Sequence, residues 1–291
     1  MGVPSYRRKW DRLVQLDSSG GQLVVNRKQL DPSKSVAALF GAKLRDLRDK
    51  AGLSQAQLGD AIGYSNDTIS KVETAAQAPS PELARCLDAH FNTNQFDELQ
   101  PHAARESIPS YFRPYADLES TAIGVRVYEP VVITGLLQTD EYARAVLRPG
   151  QRPSKLDQSV AARMLRQEVL RREDPPWVVI LLAEPVVRKL VGNKEITSAQ
   201  LAHVLELADD AHVNVLVVPN GADVYPSSGF TLFSREDEPD LGYVEGAAGL
   251  GRVIEQSTHV ERLRRLWDII SSAAMSEAAS KALIREVMEG L

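Results

Sequence analysis

The sequence predicts a mainly α N-terminal domain followed by an α+β C-terminal domain that contains a mixed sheet. Between residues 35 and 91, apolar residues recur at intervals of three and four, which is the period of a helix face. Residues 177–183 form an unbroken apolar run bounded by prolines, as expected for a buried strand. The length of 291 residues suggests about two domains.

The composition excludes several classes of protein. Apolar residues make up 43% and charged residues 25% of the chain, which is typical of globular proteins and unlike a wholly disordered chain. No apolar run approaches the ~20 residues that span a bilayer, and the basic residues near the N-terminus are not followed by the apolar segment of a secretory signal. The single cysteine, Cys86, excludes an intramolecular disulfide framework. We therefore expect a cytoplasmic protein that makes no membrane contact.

The charge is distributed unevenly along the chain. Residues 1–34 carry seven Lys/Arg and three Asp/Glu, residues 35–80 carry five of each, and residues 81–291 carry 22 and 31. An acidic C-terminal body repels phosphate, so we expect any DNA contact to lie near the N-terminus. Residues 1–34 are interpreted as a loosely ordered basic arm with a short strand at Gln22–Asn26. This arm either contacts DNA or is a solvated tail, and the tail is the simpler interpretation.

Four helices are expected between residues 35 and 91. The first begins after Ser35 and ends near Ala51-Gly52, where glycine supplies a left-handed stop. The second is capped by Ser54, with Gln57 completing a capping box, and ends at Gly63. The third is capped by Ser65 and runs from Asn66 to about Thr74, and the fourth starts at Pro79-Ser80-Pro81.

The register of the second and third helices predicts a helix-turn-helix. Leu58 and Ile62 face inward, Gly59 lies where a side chain would clash at the helix crossing, and Gly63 takes the turn. Tyr64, Ile69 and Val72 pack the third helix against the second. The alternative is a generic helical bundle with a fortuitous glycine.

The segment from Leu53-Ser54-Gln55 to Thr68–Glu73, followed by Pro79-Ser80, resembles the helix-turn-helix of the XRE (phage-repressor-like) family. The resemblance implies that Arg48 and Glu73 form a structural ion pair that orients the recognition helix. It also reveals a departure, because the family commonly has glycine after the position of Glu73 and this chain has Thr74-Ala75. We therefore expect the next turn to be shaped differently.

If this interpretation holds, helix Asn66–Thr74 enters the major groove of DNA, N-terminal end first. Asn66 can read adenine and Lys71 can reach guanine or phosphate, whereas Asp67 must accept from cytosine or be held away from phosphate. Helix N-termini bind phosphate, which favours phosphate contacts by Gln55 and Ser65 at the N-termini of the second and third helices. The candidate DNA-binding residues are Gln55, Ser65, Asn66, Asp67, Thr68, Ser70 and Lys71, and for each the alternative is a plain solvated face.

We place the boundary between a helix-turn-helix domain (residues 35–100) and an α+β domain (residues 101–291) in the mixed, proline-containing stretch 94–113. A helix is expected at Tyr115–Tyr128, and further helices at 139–147, 154–172, 185–190, 197–210, 257–272 and 276–288. Buried strands are expected at Trp177–Ala183 and Val213–Val218, with a meander at 230–233, 243–245 and 252–255. Together these predict a mixed five-stranded sheet.

Residues 30–291 resemble the actinobacterial WhiJ-type regulators. The most specific element is Gly135-Leu136-Leu137-Gln138-Thr139 followed by Glu141-Tyr142-Ala143-Arg144. Further matches are Leu30–Ser33, Phe40-Gly41, Arg163 to Arg166-Gln167, Gly229-Phe230, Tyr243-Val244-Glu245 and Arg262-Leu263, and Thr134 departs from the usual proline. The resemblance implies a transcription regulator and pairing with a small protein encoded by an adjacent gene, but no known ligand.

Nothing in the sequence favours catalysis. The five histidines do not pair at the spacing of a helical metal site, and neither a nucleophile elbow nor a phosphate-binding loop occurs. Glu184 and Glu245 lie at strand ends, where structural carboxylates are commoner than catalytic ones, and Cys86 is expected to be a small core residue. We therefore predict no enzyme activity, no cofactor and no metal site.

The sequence thus predicts a sequence-specific transcription regulator that binds a double-stranded DNA operator as a homodimer. Two alternatives stay open at this point. One is a sensor or interaction module whose main event is binding of a small molecule or a protein. The other is an antitoxin-like protein that neutralises a small partner and regulates its own operon.

Overall fold

The computed structural model describes residues 30–110, 112–150, 152–246 and 250–291. The strand expected at Gln22–Asn26, and the arm up to residue 29, lie outside these residues. Residues 35–110, called here the N-terminal region, form five helices. They are α1 (Val36–Lys50), α2 (Gln55–Ile62), α3 (Asn66–Glu73), α4 (Pro81–Phe91) and α5 (Gln95–Ser107).

Local capping signals fix the first four helices. Ser35, Ser54, Ser65 and Ser80 each accept a hydrogen bond from the backbone three residues on, which satisfies an otherwise free helix N–H. The core between these helices and α5 is built from fully or almost fully buried Phe40, Leu44, Leu58, Ile69, Val72, Leu83, Ala84, Leu87 and Phe96. The predicted helical N-terminal fold is therefore confirmed.

The fifth helix corrects the interpretation of residues 94–113 as an irregular stretch. α5 runs through Pro101, which is exposed, and continues to Ser107. The buried side chains of Phe96 and Ala103 hold it against α1 and α4, and this packing outweighs the backbone hydrogen bond that proline cannot donate. The boundary proposed after residue 100 falls inside this helix.

The C-terminal region, residues 112–291, combines a six-stranded sheet with seven helices among its described residues. The helices are α6 (Arg113–Thr121), α7 (Asp140–Leu147), α8 (Pro153–Arg166), α9 (Glu184–Arg188), α10 (Lys194–Leu207), α11 (Ser257–Ser272) and α12 (Glu277–Glu289). The strands are β1 (Gly124–Glu129), β2 (Trp177–Ala183), β3 (Val213–Val218), β4 (Phe230–Arg235), β5 (Glu238–Val244) and β6 (Arg252–Ile254). A 3-10 turn at Gln167–Arg171 follows α8.

The sheet is mixed, with the strand order β3-β2-β1-β4-β5-β6. β1, β2 and β3 pair in parallel, and β4, β5 and β6 continue antiparallel. One face packs on α6, α10 and α12, and the other on α11. The outer edge of β3 is closed by Ser280, whose hydroxyl accepts from Val217 N at 2.9 Å, and by Met275 N, which donates to Val217 O at 2.8 Å.

Three expectations for this region were wrong. The helix expected at Tyr115–Tyr128 is only α6, and the sheet has six strands rather than five because β1 takes the second half of that segment. The alternating Val125 and Val127 are stiff side chains that suit a pleated, buried strand. β1 lies at the centre of the sheet, between β2 and β4. The helix expected up to residue 172 also ends earlier, at Arg166.

Candidate nucleic-acid interface

The turn between α2 and α3 sets the angle between the two helices. Gly63 has a φ of +77°, a left-handed conformation that glycine adopts without strain. A Cβ on Gly59 would overlap the carbonyl oxygen of Tyr64, so the turn folds back tightly onto α2. Both glycines occupy the positions that the register of a helix-turn-helix requires.

A buried polar cluster connects α1, α2 and α3. Arg48 is 3% exposed and Glu73 is fully buried. The guanidinium of Arg48 donates to both carboxylate oxygens of Glu73, with Nη2 at 3.1 Å from Oε2, and to the carbonyl of Leu53 at 2.7 Å. The hydrogen bond to Glu73 raises the pKa of Arg48. The ion pair implied by the resemblance is thus present and is shielded from solvent.

Two further side chains complete this cluster. Gln55 Nε2 donates to Glu73 Oε2 at 2.7 Å, and Arg45 Nη2 donates to the Glu73 carbonyl at 3.2 Å. Because its amide nitrogen is held by Glu73, the Gln55 side chain positions α2 relative to α3. Its contact with a DNA phosphate stays a prediction.

The outward face of α3 is polar and accessible. Asn66, Asp67 and Lys71 are exposed, while Thr68 and Ser70 are partly buried. Within the described parts of the chain, no group hydrogen-bonds to the side chain of Asn66, so its amide can bind a ligand without breaking an internal contact. Ser65 Oγ accepts from Thr68 N at 3.1 Å and lies 2.9 Å from Thr68 Oγ1. The N-terminal end of α3 therefore combines a fixed cap with a free amide.

The two charged residues on this face pair with each other. Lys71 Nζ lies 2.7 Å from Asp67 Oδ2, one helical turn away, and this hydrogen bond raises the pKa of Lys71. Both side chains are about half exposed or more, at 46% and 71%. The pairing directs the Asp67 carboxylate toward a cation and thereby reduces its repulsion of an approaching phosphate.

Sequence reasoning missed the residues of the C-terminal region that face α3. A groove of about 460 Å³ is bounded on one side by Lys71 and residues 76–78, and on the other by Asp140, Arg144 and Asp157. Arg144 forms ion pairs with both aspartates, and Asp157 adds to the raised pKa of Lys71. No local pattern reveals this proximity, because it depends on the packing of two regions distant in sequence.

The motif Gly135–Thr139 has a structural role in the C-terminal region. Gln167 donates to the carbonyls of Gly135 and Gln138 at 2.9 and 2.7 Å, and Arg163 donates to Gln138 Oε1 at 2.8 Å. Gln200 accepts from Thr139 N at 2.8 Å and donates to the Leu137 carbonyl. These residues hold the turn that leads into α7.

Among the carboxylates at strand ends, the structure shows one with strong burial that sequence reasoning overlooked. Glu129, the last residue of β1, is 8% exposed, and burial raises its pKa well above the ordinary value, with Glu245 adding to the shift. Glu184, in contrast, accepts from Asn220 N and Arg188, and the bond from Asn220 N lowers its pKa. Cys86 is a partly buried free thiol.

Comparison with known families agrees with this division of the chain. A family described as "Helix-turn-helix domain" matches residues 39–99. A second, described as "Domain of unknown function (DUF5753)", matches residues 112–286. No curated protein and no solved structure shows a significant match to the chain. Over the residues that the structure describes, no helix has the length and apolar character needed to cross a membrane.

Proposed function

The chain belongs to the DUF5753 family, and we propose that it is a sequence-specific transcription regulator of the WhiJ type within the XRE family. The helix-turn-helix domain points to a DNA-binding regulator rather than an enzyme. The observation that carries the proposal is the N-terminal end of α3, where the exposed, unpartnered amide of Asn66 stands on a helix fixed by the buried Arg48–Glu73 pair.

In the proposed complex, α3 lies in the major groove with Asn66 nearest the base edges. An asparagine amide offers one donor group and one acceptor, which match the N7 and N6 positions of adenine. The free backbone N–H groups at the start of α2 and α3 bind phosphates and fix the register. The N-terminal region, with α5 kept whole, would form the DNA-binding domain in place of the expected residues 35–100, and the C-terminal region would form the regulatory domain.

Selection from a random duplex library tests this proposal. The full-length chain should enrich one sequence class, and Asn66→Ala should lose that enrichment. Asn220→Ala changes an exposed asparagine in the C-terminal region and is the matched control, which should enrich the same class as the wild type. Enrichment of nothing by the wild type contradicts sequence-specific binding.

We also propose that the protein binds its operator as a homodimer, because one recognition helix covers only a few base pairs and two linked half-sites gain effective concentration. The side chains of Trp267 and Ile270 in α11 and of Ile284 and Val287 in α12 are buried in the core and are therefore not available for a dimer surface. Light scattering of the full chain, alone and bound to a selected duplex, measures its oligomeric state. A chain that stays a strict monomer on DNA contradicts the homodimer.

The resemblance to WhiJ-type regulators supports one further partner, a small protein encoded by an adjacent gene. Purification of the chain from its native host tests this partner directly. A stoichiometric small protein in the eluate supports the proposal. Recovery of the chain alone, under conditions that keep it bound to DNA, contradicts it.

A further inference from the structure

A cavity of about 380 Å³ lies where the N-terminal region meets the C-terminal region. Its walls come from α5, α6, α8 and the 3-10 turn after α8. We propose that this cavity binds an uncharged, largely apolar small molecule and that its occupancy regulates DNA binding. The second half of this inference rests on the proposed function, whereas the binding site itself does not.

Small side chains create the space. Ala104 of α5, Ala116 of α6 and Ala162 of α8 face the cavity, so each helix contributes a short side chain where a larger one would fill the gap. Pro101, Ile108, Leu165 and Val169 make the remaining apolar wall. Small-molecule sites are typically concave, mainly apolar and roughly 300–1,000 Å³ in volume, and this cavity meets those conditions.

The charges of the wall identify the class of ligand. Arg105 pairs with Asp117 through two hydrogen bonds of 2.9 and 2.8 Å. Arg166 pairs with Glu119 through two bonds of 2.8 Å, and both side chains are largely buried. These pairs are complete within the chain, so an ionised ligand would have to compete with them.

The two other charged groups of the wall also have partners. Arg172 donates to the carbonyls of Ser120 and Ala122, both at 2.7 Å. Glu168 lies 3.5 Å from the guanidinium of Arg171. Because every charged wall residue is neutralised or hydrogen-bonded by the chain itself, the cavity favours a ligand without net charge.

The position of the cavity connects it to DNA binding through α5. The N-terminal half of α5 belongs to the core of the helix-turn-helix region, where Phe96 is fully buried. Its C-terminal half forms a cavity wall, and Glu106 there accepts a hydrogen bond of 2.6 Å from Val36 N at the start of α1. Pro101 separates the halves and removes one backbone hydrogen bond, which makes this point easier to bend. A molecule in the cavity therefore biases the angle between the two regions.

Two fluorescent probes with the same aromatic skeleton test the site on the full chain. N-phenyl-1-naphthylamine is uncharged, and 8-anilinonaphthalene-1-sulfonate carries a sulfonate. The expected result is saturable binding of the uncharged probe at one molecule per chain, at least tenfold tighter than binding of the sulfonate. Equal or tighter binding of the sulfonate overturns the assignment of an uncharged ligand.

Substitutions locate the probe. Ala104→Phe should fill the cavity and weaken binding of the uncharged probe at least tenfold, and Ala104→Leu serves if the larger variant does not fold. His102→Phe adds the same ring to an exposed position of α5 that does not line the cavity, and Trp177→Ser removes the exposed indole of β2. Both controls should bind the probe as the wild type does. Undiminished binding by folded Ala104 variants overturns the site.

Regulation is tested with a DNA duplex selected by the wild type. Saturating uncharged probe should change DNA affinity at least threefold, and DNA should change probe affinity by the same factor, as thermodynamic linkage requires. Ala104→Phe should abolish this coupling. Probe binding with unchanged DNA affinity overturns regulation but leaves the site standing. Probe binding by a chain that selects no DNA refutes the proposed function alone.

Discussion

At the scale of single residues, burial decides how strongly the loss of a charged group lowers the stability of the fold. Arg48 and Asp46 lie two residues apart on α1, yet Arg48 is enclosed with Glu73 while Asp46 pairs with Lys50 in solvent. An exposed pair contributes under about 1 kcal/mol, whereas removing one member of a buried pair costs on the order of 3–5 kcal/mol. Removal of one member of the cluster around Glu73 should therefore destabilise the N-terminal region more than removal of an exposed charge does.

Arg48→Ala should lower the free energy of unfolding by about 3–5 kcal/mol, because it leaves the carboxylate of Glu73 buried without its main partner. Lys50→Ala, which removes an exposed pair on the same helix, should cost under about 1 kcal/mol. Urea denaturation of both variants measures the difference. Equal midpoints would show that Glu73 does not depend on Arg48.

Glu129 predicts a dependence of stability on pH. Burial raises its pKa, so the folded chain keeps a proton that the unfolded chain releases above its ordinary pKa of about 4.3. Stability from this group is therefore complete at lower pH and declines as the pH rises toward the folded-state pKa, by at most about 1.4 kcal/mol per unit. Glu129→Gln should remove this decline in thermal denaturation measured from pH 4 to 8.

Glu184 is the matched control, because its pKa is lowered and its contribution has the opposite sign. This carboxylate stabilises the fold above its ordinary pKa, and the contribution is lost as the pH falls. Glu184→Gln should therefore lower stability at neutral pH and have little effect in acid. The same slope for both variants would show that the burial of Glu129 does not control its titration.

At the scale of elements, local signals made the helix-turn-helix predictable. Serine caps, the left-handed Gly63 and apolar periodicity all act within a few residues, so α1 to α4 begin and end close to their expected positions. Strand β1 and helix α5 could not be predicted in this way. A short run such as Gly124–Glu129 fits a helix or a strand until its neighbours in the sheet are known, and Pro101 argues against a helix that tertiary packing nevertheless maintains.

The candidate site was likewise predictable from the sequence only where it depends on local signals. The exposure of Asn66, Asp67 and Lys71 follows from helical periodicity. The Gln55–Glu73 hydrogen bond and the groove that Lys71 shares with Asp157 join residues far apart in sequence. Only the assembled fold reveals those contacts.

The turn after α3 contains Thr74-Ala75, where the XRE family commonly has glycine after the position of Glu73. Ala75 has a φ of +53°, in the region that favours glycine. An L-residue there costs roughly 1–2 kcal/mol, so Ala75→Gly should raise the free energy of unfolding by about 1 kcal/mol. Ala76→Gly, at the next position and outside the left-handed region, should be neutral or destabilising. Urea denaturation separates them, and a destabilising Ala75→Gly would contradict the strained turn.

At the scale of the whole molecule, an acidic C-terminal region lies beside the nearly neutral helix-turn-helix that we propose binds DNA. Asp140 and Asp157 are exposed and border the groove that contains Lys71. In the proposed complex their charge opposes phosphate near the C-terminal end of α3, so we expect the C-terminal region to weaken DNA binding in this arrangement. Such a region can tune affinity without contacting bases.

Asp157→Asn should increase affinity for all duplexes by a few fold at low salt, because it removes a negative charge and leaves Arg144 with Asp140 as its one acidic partner among the described residues. The salt dependence should steepen by up to about one released ion. Asp268→Asn makes the same change at an exposed position of α11 and should have little effect. Fluorescence anisotropy at several salt concentrations measures the DNA affinity of both variants. Equal effects would show that the net charge of the chain, and not the position of Asp157, controls the affinity.

In the proposed function, α3 reads DNA through Asn66. The most direct measurement is titration of the wild type, Asn66→Ala and Lys71→Ala against the selected duplex and a scrambled duplex at several salt concentrations. Asn66→Ala should cost about 1–3 kcal/mol of binding free energy on the selected duplex and little on the scrambled one. Lys71→Ala, if Lys71 binds phosphate, should weaken binding to both duplexes and lower the salt slope by about one ion. Equal losses on both duplexes for the two variants would show that Asn66 does not read bases, and no loss for either would show that α3 is not the recognition helix.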